Sequence, residues 1–304
     1  MSQANWAVSF IVLVTVSLVP VLRVRADIAD SDSKTVDRTA TVYGQKLHYL
    51  EAGRGPTVIL LHGLGGDANE WRQLMVTLAN DYHLIALDQL GSGLSDKPLI
   101  AYRPRTLSDV LIGFFGTLNL KHVSVVGNSL GAWVAAWVAI SNPPLVDRLV
   151  LLDAFGLSSY ERELTSDVKT ALRQSTKGDL RLLSQLAFYD QSFASEHSIE
   201  EAFDARLRAG DGYTVDRLTD SILRGDDTLD RELARVEQPT LIIWGAADRL
   251  IAPRFGQEFQ RAIVGSRLSV IEQCGHMPHM ECPKKLAPLL RAFLGVPISG
   301  TLER

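Results

Sequence analysis

VSVVGNSLGAWVAAW, residues 123–137, decides the fold. The apolar run Val123–Val126 leads directly into Gly127-Asn128-Ser129-Leu130-Gly131, and an Ala-rich stretch follows. A G-x-S-x-G pattern between a buried strand and a helix reads as a nucleophile elbow. So tight a turn leaves no room for side chains on either side of the serine, which accounts for Gly127 and Gly131. It lifts the Ser129 hydroxyl off the end of a sheet. It also aims the N-terminus of a helix over 130–141, with its unpaired N–H groups, at negative charge forming there.

The surrounding chain has the pattern such a turn needs. Val58–Leu61, Leu84–Leu87, Leu149–Leu152 and Leu241–Trp244 are short and continuously apolar, as strands buried on both faces are. Arg267–Ile271 is a weaker member of the set. Residues 41–50 alternate and predict an opening antiparallel strand. Helices are predicted over 69–80, 106–119, 130–141, 253–264 and 283–294, with Pro253 and Pro283 in tolerated first-turn positions. Strand–helix alternation of this kind makes an α/β fold with a mostly parallel, doubly wound sheet flanked by helices. The alternation breaks over 156–236. There Leu180, Leu183 and Ala187 share one helical face, which predicts an inserted helical cap. The core is then 40–155 together with 237–297.

A serine is a weak nucleophile without a base. Of the seven histidines, His276 follows the last strand-like run, with Gly275 before it to let the chain turn. His279 is the rival base, set where the next helix begins. His48, His83, His122 and His197 read as surface or packing residues. Asp248, just past the run Leu241–Trp244, supplies the acid that fixes the base's tautomer. Asp153, at the end of Leu149–Leu152, is the rival acid. The order Ser129, Asp248, His276 is the chain order known for this arrangement.

LLHGLGGDANEW, residues 60–71, admits two readings. Gly63-x-Gly65-x-x-Ala68 with Asp88 twenty positions on outlines a dinucleotide fingerprint. The same residues, His62-Gly63 at a strand end, also form half of an oxyanion hole. The dinucleotide reading leaves Ser129, Asp248 and His276 without a task, so the second is preferred.

LLHGLGG, LDQLGSGLSDKP, GNSLGA, WGAADRL and CGHMPHME together resemble the α/β-hydrolase superfamily, from residue 41 to about 296 apart from the cap. The resemblance implies Ser129 as nucleophile, His276 as base and Asp248 as acid. It implies backbone N–H groups of Leu64 and Leu130 as oxyanion donors, with His62, Gly63, Gly127, Asn128 and Gly131 supporting the turns. It implies neither cofactor nor metal. Superfamily members that act on haloalkanes and epoxides carry Asp at the elbow; Ser129 points instead to an acyl-enzyme.

Two small-molecule substrate classes compete. One is a carboxylic ester with apolar groups, for which Phe188, Tyr189, Phe193, Phe203 and Tyr213 are candidate pocket wall. The other is the substrate of meta-cleavage-product C–C hydrolases, which Asn128 and LVLLDAFGL resemble. Against it, those enzymes carry Trp after the Gly-His, where this chain has Met277-Pro278. Their carboxylate-binding arginine has five candidates here: Arg173, Arg181, Arg206, Arg208 and Arg217. The ester is the preferred reading. A non-catalytic ligand-binding member of the fold is a third reading, disfavoured because all three catalytic residues are present.

Net charge is −4 and no basic stripe appears, so nucleic acid is not an expected partner. Residues 7–22 lack charge and, at about 1.5 Å per residue, fall short of the ~30 Å hydrocarbon core. Val24-Arg25-Ala26 resembles a cleavage site, which favours an export signal over 1–26 and a periplasmic or secreted enzyme. Arg23 and Arg25 after the run, with no Lys or Arg before it, favour instead a retained membrane anchor with the enzyme inside the cell. Residues 27–39 read as a flexible lead-in. Cys274 and Cys282 read as two separate, partly buried thiols, pairing only if the protein is exported. Oligomeric state has no signature in the sequence.

Overall fold

A computed structural model describes residues 35–295. The readings of 1–26 as signal or anchor, and of 27–34 as lead-in, lie outside the described residues. In chain order the elements are β1 (Val36–Val42), β2 (Gln45–Ala52), β3 (Thr57–Leu61), α1 (Arg72–Leu78), β4 (His83–Leu87), α2 (Pro104–Thr117), β5 (Val123–Asn128), α3 (Leu130–Ser141) and β6 (Val146–Leu152). Helices α4 (Ser158–Glu163), α5 (Ser166–Arg173), α6 (Lys177–Ala187), α7 (Glu196–Ala209) and α8 (Gly212–Arg224) follow. The chain then returns to β7 (Thr240–Gly245), α9 (Arg254–Ala262), β8 (Arg267–Ile271), α10 (Pro278–Glu281) and α11 (Pro283–Leu294).

The strands form one sheet in the order β1-β2-β4-β3-β5-β6-β7-β8. β1 and β2 are antiparallel, β2 is antiparallel to β4, and every other pair is parallel. The period of two divides each central strand between two cores. Ile59 and Leu61, Leu149 and Leu151, and Ile242 and Trp244 join the core under α2, α3 and α9. Val58 and Leu60, Val150 and Leu152, and Leu241 and Ile243 join the core under α1 and α11. Every residue of α3 except Ser141 is buried, so this helix is apolar all round and carries no amphipathic stripe.

Four details differ from the sequence expectation. Residues 41–50 are not one strand but parts of a hairpin, which turns at Tyr43 and Gly44, both at positive φ. The lead-in ends before residue 39, because residues 36–39 already belong to β1. As an exposed edge strand, β1 has no apolar run to betray it. The helix expected over 69–80 opens as a 3-10 turn, Ala68–Trp71, capped by the Asp67 carboxylate, which accepts the Asn69 N–H. Cys274 and Cys282 form a disulfide, with Cα atoms 6.1 Å apart. They look separate in sequence, one at a strand end and one at a helix start, but the chain between them doubles back through Met277 and α10. No helix among the described residues is long and apolar enough to cross a membrane.

Candidate active site

Ser129 joins β5 to α3 at φ 55°, ψ −115°. For a non-glycine residue that costs roughly 1–3 kcal/mol and persists only where surroundings enforce it. They do so tightly. A Cβ on Gly127 would lie 2.3 Å from the Gly131 carbonyl carbon, and one on Gly131 would lie 2.4 Å from the Leu61 carbonyl oxygen. Leu130 opens α3, so its N–H has no partner one turn earlier in the helix.

Asp248 follows β7 and is buried. One carboxylate oxygen accepts the Leu250 and Ile251 N–H groups, each at 2.8 Å. The other lies 2.8 Å from Nδ1 of the buried His276. The His276 backbone N–H donates to the Ala187 carbonyl in the insertion at 2.6 Å. A Cβ on Gly275 would lie 2.1 Å from that same carbonyl, which is why glycine precedes the histidine. Asn128 ties the base loop to the elbow: its Nδ2 donates to the His276 carbonyl at 2.9 Å.

The rivals stand in different surroundings. Asp153 is fully buried and accepts the Gly245 N–H at 2.8 Å. Its carboxyl comes within 4.8 Å of the Asp248 carboxylate and the His276 ring. Burial, and then its closeness to Asp248, hold its pKa well above the ordinary carboxylate range. His279 is fully buried, stacked on Trp71 with ring centroids 4.2 Å apart. Burial pushes its pKa down to about 3, which leaves it a neutral packing group.

His62 is fully buried. Its Nε2 accepts the Gln89 N–H at 3.1 Å, so Nδ1 carries the proton and donates it to the Gly63 carbonyl at 2.7 Å. The Gly66 N–H reaches the same carbonyl at 3.3 Å. In a planar trans peptide the N–H opposes the C=O, so these bonds also fix the Leu64 N–H. Asp88, the supposed ribose ligand of the dinucleotide reading, is occupied by Ala68 N–H, Leu94 N–H and His48 Nδ1. These bonds outweigh burial and hold its pKa below the usual value.

Ser129, Asn128, His276, Gly63 and Leu64 line one cavity of about 320 Å³. The insertion supplies its apolar wall: Leu172, Leu180, Leu183, Ala187 and Phe188. Of the five aromatic residues anticipated, only Phe188 lines it. Tyr189 and Tyr213 are exposed, Phe193 stacks behind Phe188, and Phe203 lies under Lys177. Helical periodicity names a face but not what that face covers. Of the five arginines only Arg206 lines the cavity, and its part-buried guanidinium is held by the buried Asp211 at 3.2 Å. Burial pulls the Arg206 pKa down and the Asp211 pKa up. Arg173 and Arg217 pair with Asp216, Arg181 pairs with Glu196, and Arg208 is exposed.

Two further residues at the cavity had no signal in the sequence. Glu70 lines it with a carboxyl that burial pushes up to about 8, so it is protonated at neutral pH. Gln174, from the end of α5, donates its side-chain amide to the Leu64 carbonyl at 2.9 Å.

A serine elbow at the tip of the central strand β5, an Asp–His pair from beyond the ends of β7 and β8, and a helical insertion between β6 and β7 define a class of protein, the α/β hydrolases. Residues 58–289 match the model of the Alpha/beta hydrolase family, and the chain belongs to that family. It is 30% identical over 264 residues to 2-hydroxy-6-oxononadienedioate/2-hydroxy-6-oxononatrienedioate hydrolase 2 of Pseudomonas putida, covering 82% of this chain and 91% of the relative. Among solved structures it is similar to a bacterial membrane phospholipase A, with 25% identity, TM-score 0.76 and coverage of 89% and 90%. It is similar also to a meta-cleavage product hydrolase, with 25% identity, TM-score 0.78 and coverage of 86% and 98%. The protein is a hydrolase.

Proposed function

We propose that the protein cleaves a carboxylic ester with apolar groups through an acyl-enzyme on Ser129. The observation that carries this reading is the 2.8 Å Asp248–His276 bond opening onto the cavity that Ser129 also lines. His276 takes the Ser129 proton as the hydroxyl attacks the carbonyl, and Asp248 stabilises the imidazolium. The Leu64 and Leu130 N–H groups hold the oxyanion. His276 then returns the proton to the departing alcohol and activates the water that frees the acid. One oxyanion donor contributes about 10²–10³ in kcat.

The cavity favours a neutral ester over an anionic substrate. Among the described residues its one lining guanidinium, Arg206, is already paired with the buried Asp211, and the wall that the insertion supplies is apolar. A substrate carboxylate at Arg206 would sit beside the Asp211 carboxylate that Nη1 already holds. The C–C hydrolase is the second reading, supported by the name of the Pseudomonas putida relative and by an arginine at the cavity. The test is hydrolysis of p-nitrophenyl butyrate beside a vinylogous diketone acid. Faster turnover of the ester upholds the proposal, and the reverse ranking replaces it with the second reading. Loss of both activities in Ser129→Ala with an unchanged melting temperature separates an enzyme from a ligand-binding protein.

We further propose that the enzyme works outside the cytoplasm, either exported or held at a membrane through residues 7–22. The Cys274–Cys282 disulfide supports an oxidising compartment. Sequencing the N-terminus of the mature protein distinguishes a cleaved signal from a retained anchor.

A further inference from the structure

The loop that carries Leu64 is soft by composition. Glycines occupy positions 63, 65 and 66, and Gly65 sits at φ +73°. Leu64 therefore needs ties on both sides if its N–H is to stay aimed. On the near side, the Gly63 carbonyl is held by His62 and Gly66, as described above. On the far side, the Leu64 carbonyl is held by one group, the Gln174 side-chain amide at 2.9 Å. A carbonyl can only accept, so the amide nitrogen faces it. Arg206 adds a longer contact to the next carbonyl, that of Gly65, at 3.4 Å.

Gln174 is itself unusual. It follows α5 at φ 51°, ψ 30°, in the left-handed region, where glycine or asparagine commonly ends a helix. Glycine there would relieve the backbone but has no side chain, and asparagine is one methylene shorter. The side chain is buried, and the loop is fitted to it: a Cβ on Gly65 would lie 2.3 Å from the Gln174 amide oxygen. A strained backbone retained at a residue whose side-chain amide bonds the loop beside Ser129 points to a task for that side chain.

We propose that Gln174 is a positioning residue for the oxyanion hole. Its amide, reaching down from the insertion, locks the far side of Leu64, so the donor is aimed only while the insertion is seated on the core. This rests on the ester-hydrolase reading, with Leu64 as a donor. Gln174 touches no reacting atom. It acts through the Leu64 backbone, and its effect falls on the transition state and not on the bound substrate.

The test uses Gln174→Gly, which removes the amide and relieves the left-handed backbone, and Gln174→Met, which keeps length and packing without a donor. Each is assayed for kcat and KM on p-nitrophenyl butyrate, for melting temperature, and for affinity toward an alkyl boronic acid that forms a tetrahedral adduct on serine. Because the Leu64 donor is loosened and not deleted, kcat is expected to fall roughly 10–100-fold, less than full loss of a donor. KM stays within about twofold and boronate affinity falls in step with kcat. Gln174→Gly melts at or above the wild-type temperature. A residue that merely packs would not lower kcat while stability holds or rises. Unchanged kcat in both variants overturns the inference, and so does reduced kcat with unaltered boronate affinity. Activity surviving in Ser129→Ala would instead overturn the Ser129 acyl-enzyme reading on which it stands.

Discussion

Asp248 and His276 stand 28 residues apart in the chain, yet carboxylate oxygen and imidazole nitrogen meet at 2.8 Å, and the other carboxylate oxygen is held by two backbone amides. The carboxylate is thus fixed before the imidazole leans on it. Asp248→Asn keeps the shape but can present an N–H to Nδ1, which favours the wrong tautomer. Its kcat is expected to fall about 10³–10⁴-fold with KM little changed, measured by steady-state ester hydrolysis.

The elbow should separate stability from activity within three residues. Gly131→Ala drives a methyl against the Leu61 carbonyl, a backbone atom that cannot step aside, and should cost on the order of 3 kcal/mol. Ser129→Gly removes a side chain from a left-handed residue and should stabilise by about 1 kcal/mol while abolishing turnover. Urea midpoints at constant slope read both.

The disulfide closes the loop that carries His276. Cys274→Ser with Cys282→Ser should lower stability by about 2–3 kcal/mol on the chain-entropy view, and kcat should fall because the base loop loosens. Reductant should reproduce both changes in the wild type and leave the double variant unaffected. Melting curves with and without reductant, alongside thiol titration, check this.

Glu70 gives a pH signature of known sign. Its carboxyl titrates at about 8 in the folded protein, against ~4.3 in an unfolded chain. Between those values the folded state keeps a proton that the unfolded state releases. The stabilising contribution is therefore complete below about pH 4 and is lost as pH rises through 8. Glu70→Gln, which cannot ionise, should show a flatter melting-temperature profile from pH 5 to 8 and exceed wild type above pH 8.

The legible parts of this molecule were those where one local cause acts alone. β3, β5, β6 and β7 are buried on both faces, so they read as apolar runs. Gly127 and Gly131 flank Ser129 because no other residue fits, and that too is local. β1 was hidden because an exposed edge needs no apolar pattern. Gln174 and Glu70 were hidden because their significance comes from how the insertion and the 3-10 turn dock on the loop beside Ser129. The disulfide was hidden by a chain reversal, and the pocket wall by helix rotation about its own axis. Such facts belong to tertiary contact and leave no periodic trace.

The order of the strands along the chain sets a timetable for synthesis. Ser129 leaves the ribosome with β5, Gln174 with the insertion, Asp248 after β7 and His276 only after β8, at the far edge of the sheet. On the proposed mechanism, a growing polypeptide thus carries its nucleophile for well over a hundred residues without a base. On that mechanism, a product truncated before β8 lacks its base and is expected to be inert even if the rest of its sheet forms.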